Sequence, residues 1–385
     1  MSASRRGGEP ASVAFLTPGD PRHGVTRYAN TLAAAVEAAG VAVVHERPRR
    51  RGSALSTIAA ASRARRSSLV HLQFADRYWG EGRAQVLVVL ALRLVLWNRT
   101  VVVTAHDFHA PPPRRRSWPL RQLSEVARLR TAYGVAARIL LGSVALVLVC
   151  SEGEAESLAW TRPRRVQVVP HYVEGRRPLP HGTQTQPPGG APAGAPLVVL
   201  GFIHRRKGQH LAVRALPHLP EHRLVLAGSA TPANAEYLES ILAEARVLGV
   251  EDRLEVTGYL SDDDLVVLLA RARAALVPYE RIAASGSVAT LAAWGVPMIA
   301  RAQRALDDLA RACPSAVGLF EGDDPSALAA AARRTLASPR EAQTAELARW
   351  ADEHSLARTA RRHLEAYRAA EGRTREDQPE IRRWT

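Results

Sequence analysis

Short apolar runs alternate with longer stretches of helical periodicity through most of the chain. In the first half the runs fall at 12–18 (SVAFLTP), 41–44, 69–74 (LVHLQF), 100–104 (TVVVT), 145–150 and 166–170 (VQVVP). They are rich in valine and leucine and apolar at consecutive positions, which predicts strands covered on both faces. A helix is expected from about Thr26, where Tyr28, Leu32, Val36 and Ala39 share one side, and others over 54–66, 81–97 and 120–141. The alternation returns with runs at 197–202, 223–227, 253–258, 274–279, 297–300 and 317–320. Helices at 235–249 and 261–272 lie between them, and 325–371 is mostly helical. Strand and helix in turn point to an α/β chain of two doubly wound, Rossmann-like domains.

Between the two series, RRPLPHGTQTQPPGGAPAGA (176–195) is rich in proline and glycine and has no apolar period, the composition of a linker. The expected organisation is an N-terminal domain over 1–175, a linker over 176–195, a C-terminal domain over 196–340 and further helices over 341–371. The ends, 1–11 and 372–385, are expected to lack regular structure. Two such domains on a flexible linker predict a central cleft between facing strand ends, a place for a nucleotide-bearing ligand and for hinge closure.

Charge adds an asymmetry that periodicity does not show. Residues 1–180 hold 27 arginines and 12 acidic residues, a balance of +15, equal to the net charge of the whole chain. The excess suggests an anionic partner for the N-terminal half, such as a lipid surface, a phosphate-bearing acceptor or nucleic acid; solvated surface charge is the plain alternative. Nucleic acid is disfavoured because no aromatic residues interleave the arginine runs and no reader motif is present. The arginines at 114–116, with Arg121, Arg128 and Arg130, are candidates for contact with anionic lipid. Two cysteines are too few for a disulfide framework and fit no metal spacing. The start, MSASRRGGEPAS, is followed by no long apolar run, and the most apolar stretch, 86–97, is short and contains Arg93. A reduced, cytoplasmic protein without a membrane span is expected.

The candidate chemistry concentrates in 197–209, LVVLGFIHRRKGQ. A strand meets Gly201, a basic loop follows, and a helix opens; such a turn holds an anion on backbone N–H groups, the helix dipole and side-chain charge. Lys207 is the only lysine of the chain. One lysine kept among arginines suggests a site that needs a compact ammonium, although an arginine-rich chain also keeps a lysine by chance. A second anion site is read at 278–300, where Ser285, Gly286 and Ser287 open a helix after Pro278 and Tyr279; simple helix capping is the alternative. His106 falls at the carboxyl end of the strand 100–104, where ligands gather in parallel sheets. Gly24 stands at the first strand-to-helix turn, but no G-x-G-x-x-G fingerprint surrounds it. Ser261 followed by Asp262, Asp263 and Asp264 reads as a helix cap and not as a metal site.

Several of these segments, in order, resemble the GT-B glycosyltransferases of the large group 1 (GT4-like) family. Gly201-Phe202-Ile203 with Lys207-Gly208 resembles the family's G-R-x-x-x-x-K-G loop, and Ala227-Gly228-Ser229 its L-x-G loop. Residues 256–260 (VTGYL) resemble its V-x-F-x-G-x-V segment, and 278–300 its P…EAMACGKPVIA segment. Residues 101–107 (VVVTAHD) and 168–170 resemble N-domain strands, and 363–368 (HLEAYR) the helix that packs the tail back.

The resemblance implies a nucleotide-diphosphate-sugar donor bound by the C-terminal domain and an acceptor held by the N-terminal one. Lys207 would neutralise the donor diphosphate, and Arg205 or Arg206 would replace the arginine whose place Phe202 takes. Ser285 and Gly286 would cradle phosphate oxygens through backbone N–H groups, Gly201 and Ser287 would also bind the donor, and Gly228 would line the floor beside the base. His106 would face the sugar, Gly24 would let phosphate or acceptor approach, and Tyr259 and Leu260 would flank the base. Counted back from Gly295-Val296-Pro297, the two glutamates of the family's E-x7-E pattern fall on Ile282 and Thr290. Thr290 would make one ribose hydrogen bond, and Glu280, two residues early, would substitute for the first carboxylate. The implied activity is retaining, metal-independent hexosyl transfer to a glycan, lipid-linked or small-molecule acceptor in polysaccharide biosynthesis, with no cofactor beyond the donor. The other reading is a catalytically inactive GT-B-like binding or scaffolding protein.

Overall fold

The computed structural model describes residues 10–18, 24–75, 78–106, 133–175, 194–282 and 286–372. The chain forms two units. One takes residues up to Pro170 together with those from Leu356 onward, and the other takes His171–Ser355.

In the first unit six parallel strands are ordered β2-β1-β3-β4-β5-β6. They are β1 (Ser12–Leu16), β2 (Ala42–Glu46), β3 (Leu69–Phe74), β4 (Thr100–Ala105), β5 (Leu146–Val149) and β6 (Val166–Val168). The central strands β3 and β4 are buried at almost every position, as their unbroken apolar runs require, whereas the edge strand β2 is half open. The helices are α1 (Gly24–Ala38), α2 (Ala54–Ala64), α3 (Gly82–Val95), α4 (133–141) and α5 (Glu152–Leu158). Ser53 caps α2 by accepting from the Ser56 N–H, and Ser151 caps α5 by accepting from the Glu154 N–H. The predicted helix over 120–141 is described only from residue 133.

The second unit repeats the plan in the order β12-β11-β10-β7-β8-β9. Its strands are β7 (Leu197–Leu200), β8 (Leu224–Ala227), β9 (Leu254–Val256), β10 (Ala274–Val277), β11 (Met298–Arg301) and β12 (Val317–Phe320). Its helices are α6 (Gln209–Ala215), α7 (Ala235–Val247), α8 (Asp262–Arg271), α9 (Gly286–Ala293), α10 (Arg304–Ala312), α11 (Pro325–Leu336) and α12 (Arg340–Glu353). Ser261 accepts from the Asp264 N–H, so the Asp262–Asp264 run is the capped first turn of α8.

The division between units differs from the sequence expectation at both passages. The first falls after Pro170 and not at 175, because the Val173 N–H donates to the His354 carbonyl at 2.8 Å and Val173 bridges Ser355. Of the helices after residue 340, α12 stays in the second unit and only α13 (Leu356–Glu371) belongs to the first. There α13 packs on α1 and β4, and Arg165 donates to the Ala369 carbonyl at 3.0 Å. Most of the linker, 176–193, lies outside the described residues, as do the arginines at 114–116, Arg121, Arg128 and Arg130.

Candidate functional site

In the second unit β7 and β10 are neighbours where the strand order reverses. At such a switch point the loops leave in opposite directions and open a crevice at the strand carboxyl ends. Two glycines let three loops close on one another there. Gly208, at φ 67°, lies against Pro278, and a Cβ would run into the Pro278 carbonyl oxygen. Gly228 lies against Gly201, whose carbonyl a Cβ would strike. Only glycine allows backbones this close.

Lys207 ends a short 3-10 turn, Arg205–Lys207, between β7 and α6. His204 caps the turn: its Nδ1 accepts from the Arg206 N–H at 3.1 Å, and its carbonyl accepts from the Lys207 N–H at 2.7 Å. Burial, with Arg206 nearby, holds the His204 imidazole below its usual range, as an acceptor at Nδ1 requires. The Lys207 ammonium lies 3.7 Å from the Tyr279 ring centroid. A Cβ on Gly201 would lie 3.6 Å from both Lys207 Nζ and Ser287 Oγ, so the two groups converge above that glycine. Tyr279 is buried; its hydroxyl donates to the Leu200 carbonyl at 2.5 Å and is hydrogen-bonded to Ser287. Burial pushes this phenol far above its ordinary range, so it stays neutral and its ring face attracts the ammonium. The Lys207 ammonium and the first turn of α9 thus converge over bare backbone, an arrangement that receives an anion.

The other predicted positions of this unit spread around that spot. Arg205 stacks its guanidinium 5.0 Å from the Tyr237 ring, on the side of α7. Arg206 is exposed, and its carbonyl accepts from the Glu280 N–H at 2.9 Å. The Glu280 side chain is exposed and close enough to His204 and His210 to oppose the lowering of their pKa values. Phe202 and Tyr259 project outward at 61% and 79% exposure, whereas Leu260 packs against the domain core. Thr290 spends its hydroxyl proton on the Gly286 carbonyl at 2.8 Å. Ile282 packs on the core, and its N–H donates to Gln303 Oε1 at 2.6 Å. Gly286 begins α9, while Ser285 lies outside the described residues.

In the first unit His106 follows β4 and is buried. Its Nε2 meets Gln73 Oε1 at 2.7 Å, and its ring lies edge-on to Tyr28 with centroids 4.9 Å apart. Gln73 Nε2 in turn meets His71 Nε2 at 3.3 Å, which also meets Thr104 Oγ1 at 2.7 Å. Because the Gln73 amide donates to His71 and accepts from His106, the His106 proton sits on Nε2. Gly24 starts α1 with open space where a Cβ would stand, so the protein's own packing places no demand for glycine there.

Sequence reading passed over Tyr279, Gln303, Gln73 and His71. The last two carried a signal: they stand two apart, hence on one face, in a strand otherwise wholly apolar. Buried polar groups in such a strand need partners, and His106 is one of them.

Residues 195–338 match the family profile described as glycosyl transferases group 1. No curated protein matches the chain in a sequence search. Among solved structures the chain is similar to HepE of Anabaena in complex with UDP and glucose, at 15% identity and TM-score 0.66, covering 93% of this chain and 100% of that one. It is also similar to sucrose-phosphate synthase of Thermosynechococcus elongatus, at 18% identity and TM-score 0.68, covering 93% and 98%. WaaG, a glycosyltransferase involved in lipopolysaccharide biosynthesis, aligns at 15% identity and TM-score 0.58, covering 92% and 99%.

Proposed function

From a GT-B fold in which residues 195–338 match the profile of the group 1 glycosyl transferases, we propose that this chain is a retaining glycosyltransferase using a nucleotide-diphosphate-sugar donor. The observation that carries the reading is the Lys207 ammonium held over Gly201, between the Tyr279 ring and the Ser287 hydroxyl, at the sheet's switch point. A donor diphosphate set there meets fixed positive charge. Structures of HepE with UDP and with UDP-glucose support a donor of this class.

In the reaction the bond between the anomeric carbon and the diphosphate oxygen breaks, and the electron pair leaves with the diphosphate. Lys207 and the α9 N-terminus stabilise that charge as it develops. The acceptor hydroxyl bonds to the anomeric carbon on the face the diphosphate leaves and gives its proton to the departing diphosphate oxygen. The cation at Lys207 and the helix dipole supply the neutralisation, so transfer proceeds without a metal. His106, its proton fixed on Nε2 by Gln73, is assigned to the sugar, and the acceptor is a glycan, a lipid-linked sugar or a small molecule. The basic N-terminal unit is assigned to contact with an anionic membrane on its cytoplasmic side.

The test is release of free nucleotide from a panel of UDP-, GDP- and TDP-sugars, with and without candidate acceptors. Turnover by the wild type that Lys207→Ala abolishes supports the reading. Donor binding without release from any sugar, unaffected by Lys207→Ala, overturns it in favour of a non-catalytic binding protein.

A further inference from the structure

One face of α3 in the first unit is built against the usual rule for a surface helix. Its inner positions, Val88, Val89 and Leu92, are buried in the core under the sheet, as amphipathicity requires. Its outer stripe, at steps of three and four residues, carries Leu87, Leu90, Leu94 and then Trp97 just beyond the helix end. These side chains are 59%, 45%, 74% and 66% exposed. Single exposed leucines are ordinary, but four large apolar groups in one line form a patch that marks a contact surface.

The surroundings of the stripe say what kind of contact. Arg83 heads it, Arg93 sits beside Leu94 and close enough to Arg164 to feel its charge, and Arg99 follows Trp97. Helix α2 packs alongside α3, with Gly52 against Gly80 at one end and Arg65 donating to Asn98 at 3.2 Å at the other. That places Arg65 at Asn98, the residue after Trp97, and the exposed Arg66 follows Arg65 in the chain. From Gly82 to His106 the sequence contains no acidic residue. A rigid apolar ridge rimmed by arginine, with tryptophan at one end, has the chemistry of a helix lying in the interface of an anionic bilayer. The apolar side chains enter the acyl boundary while guanidinium groups stay among lipid phosphates. Among the described residues no helix is long and apolar enough to cross a membrane, so the contact is peripheral.

We propose that the outer face of α3, Leu87-Leu90-Leu94-Trp97 with its arginine rim, docks the protein on an anionic lipid surface. The proposal rests on the membrane contact assigned above and moves it onto α3 from the arginines of 114–130; it does not depend on sugar transfer. Docking would hold the N-terminal unit at the bilayer, where a lipid-linked acceptor is met in two dimensions and not in three.

The experiment is co-sedimentation of the full chain with vesicles of equal parts phosphatidylglycerol and phosphatidylcholine, and with phosphatidylcholine alone. Binding is expected to the first and to be weaker to the second, and to fall as salt rises. Leu87→Glu/Leu94→Glu is expected to lower binding about tenfold or more, with nucleotide release from a soluble donor unchanged. Vesicles with brominated acyl chains should quench wild-type fluorescence, and Trp97→Phe should remove that quenching, which tests the stripe without adding a charge. No binding to anionic vesicles, or binding and quenching indifferent to these substitutions, overturns the proposal. A dimer in analytical ultracentrifugation that the double substitution dissolves also overturns it, and assigns the face to a second copy of the chain. Loss of nucleotide release with vesicle binding intact bears only on the transfer reaction.

Discussion

The hydroxyl of Tyr367 meets Nδ1 of His71 at 2.7 Å, a buried hydrogen bond between residues 296 positions apart. It ties α13, near the chain's end, to the strand β3, and through His71 and Gln73 to His106. Since His71 Nε2 accepts from Gln73, the proton of His71 sits on Nδ1 and is donated to Tyr367. Tyr367→Phe leaves that donor unpaired in the core, which costs about 1–3 kcal/mol. The expected result is a lower midpoint in urea with an unchanged m value, measured on the full chain.

Gln73→Leu breaks the chain one step closer to His106. The imidazole then loses the partner that fixes its proton on Nε2. Loss of orientation is expected to lower kcat about tenfold or more while KM for the donor stays near wild type. Gln73→Glu, which keeps an acceptor for His106, should restore part of the rate. Steady-state nucleotide release reads both.

Acid should destabilise the first unit through His363 as well as His71. His363 is fully buried; its Nδ1 donates to the Thr359 carbonyl at 2.8 Å, and among the described residues its Nε2 has no hydrogen-bond partner. Burial lowers its pKa to about 4 and that of His71 well below the usual range. Unfolded histidine takes a proton near pH 6.5. Below that pH the unfolded state binds more protons than the folded one, so stability falls as the pH drops from about 6.5 towards 4. His363 alone accounts for about 3 kcal/mol of that loss. Urea midpoints at neutral and mildly acidic pH should show the slope, and His363→Leu should flatten it.

At Lys207 both charge and shape matter. Lys207→Ala is expected to lower kcat about 10²–10³-fold, the scale for removing one group that stabilises transition-state charge. Lys207→Arg should recover little, because a planar guanidinium cannot occupy the spot 3.7 Å from the Tyr279 ring and above Gly201 as an ammonium does. Single-turnover nucleotide release is the measurement.

Gly208→Ala tests the loop closure that places Lys207. An alanine there takes a left-handed backbone and pushes its Cβ into the Pro278 carbonyl. A destabilisation of about 2–4 kcal/mol is expected, from strain and overpacking together. Chemical denaturation should show it in the second unit's transition.

The residues by themselves determined the architecture, because strand and helix periods are local properties. Runs such as LVHLQF and TVVVT can only be strands covered on both faces, and their alternation with amphipathic helices leaves one class of fold. The loop 201–208 was legible for the same reason: a glycine, a basic run and a lone lysine lie within eight positions. Tertiary structure decided what depends on groups far apart in sequence. The Tyr279 ring under Lys207, the Ser287 hydroxyl beside it and the Gly208 contact with Pro278 join segments separated by some seventy residues or more. Tyr367 on His71 and Val173 on His354 likewise set where the units divide, which composition placed at the proline-rich linker. The outer leucines of α3 share an apolar run with the buried ones, and only the packing of the inner face on the sheet shows which of them are left to meet a partner.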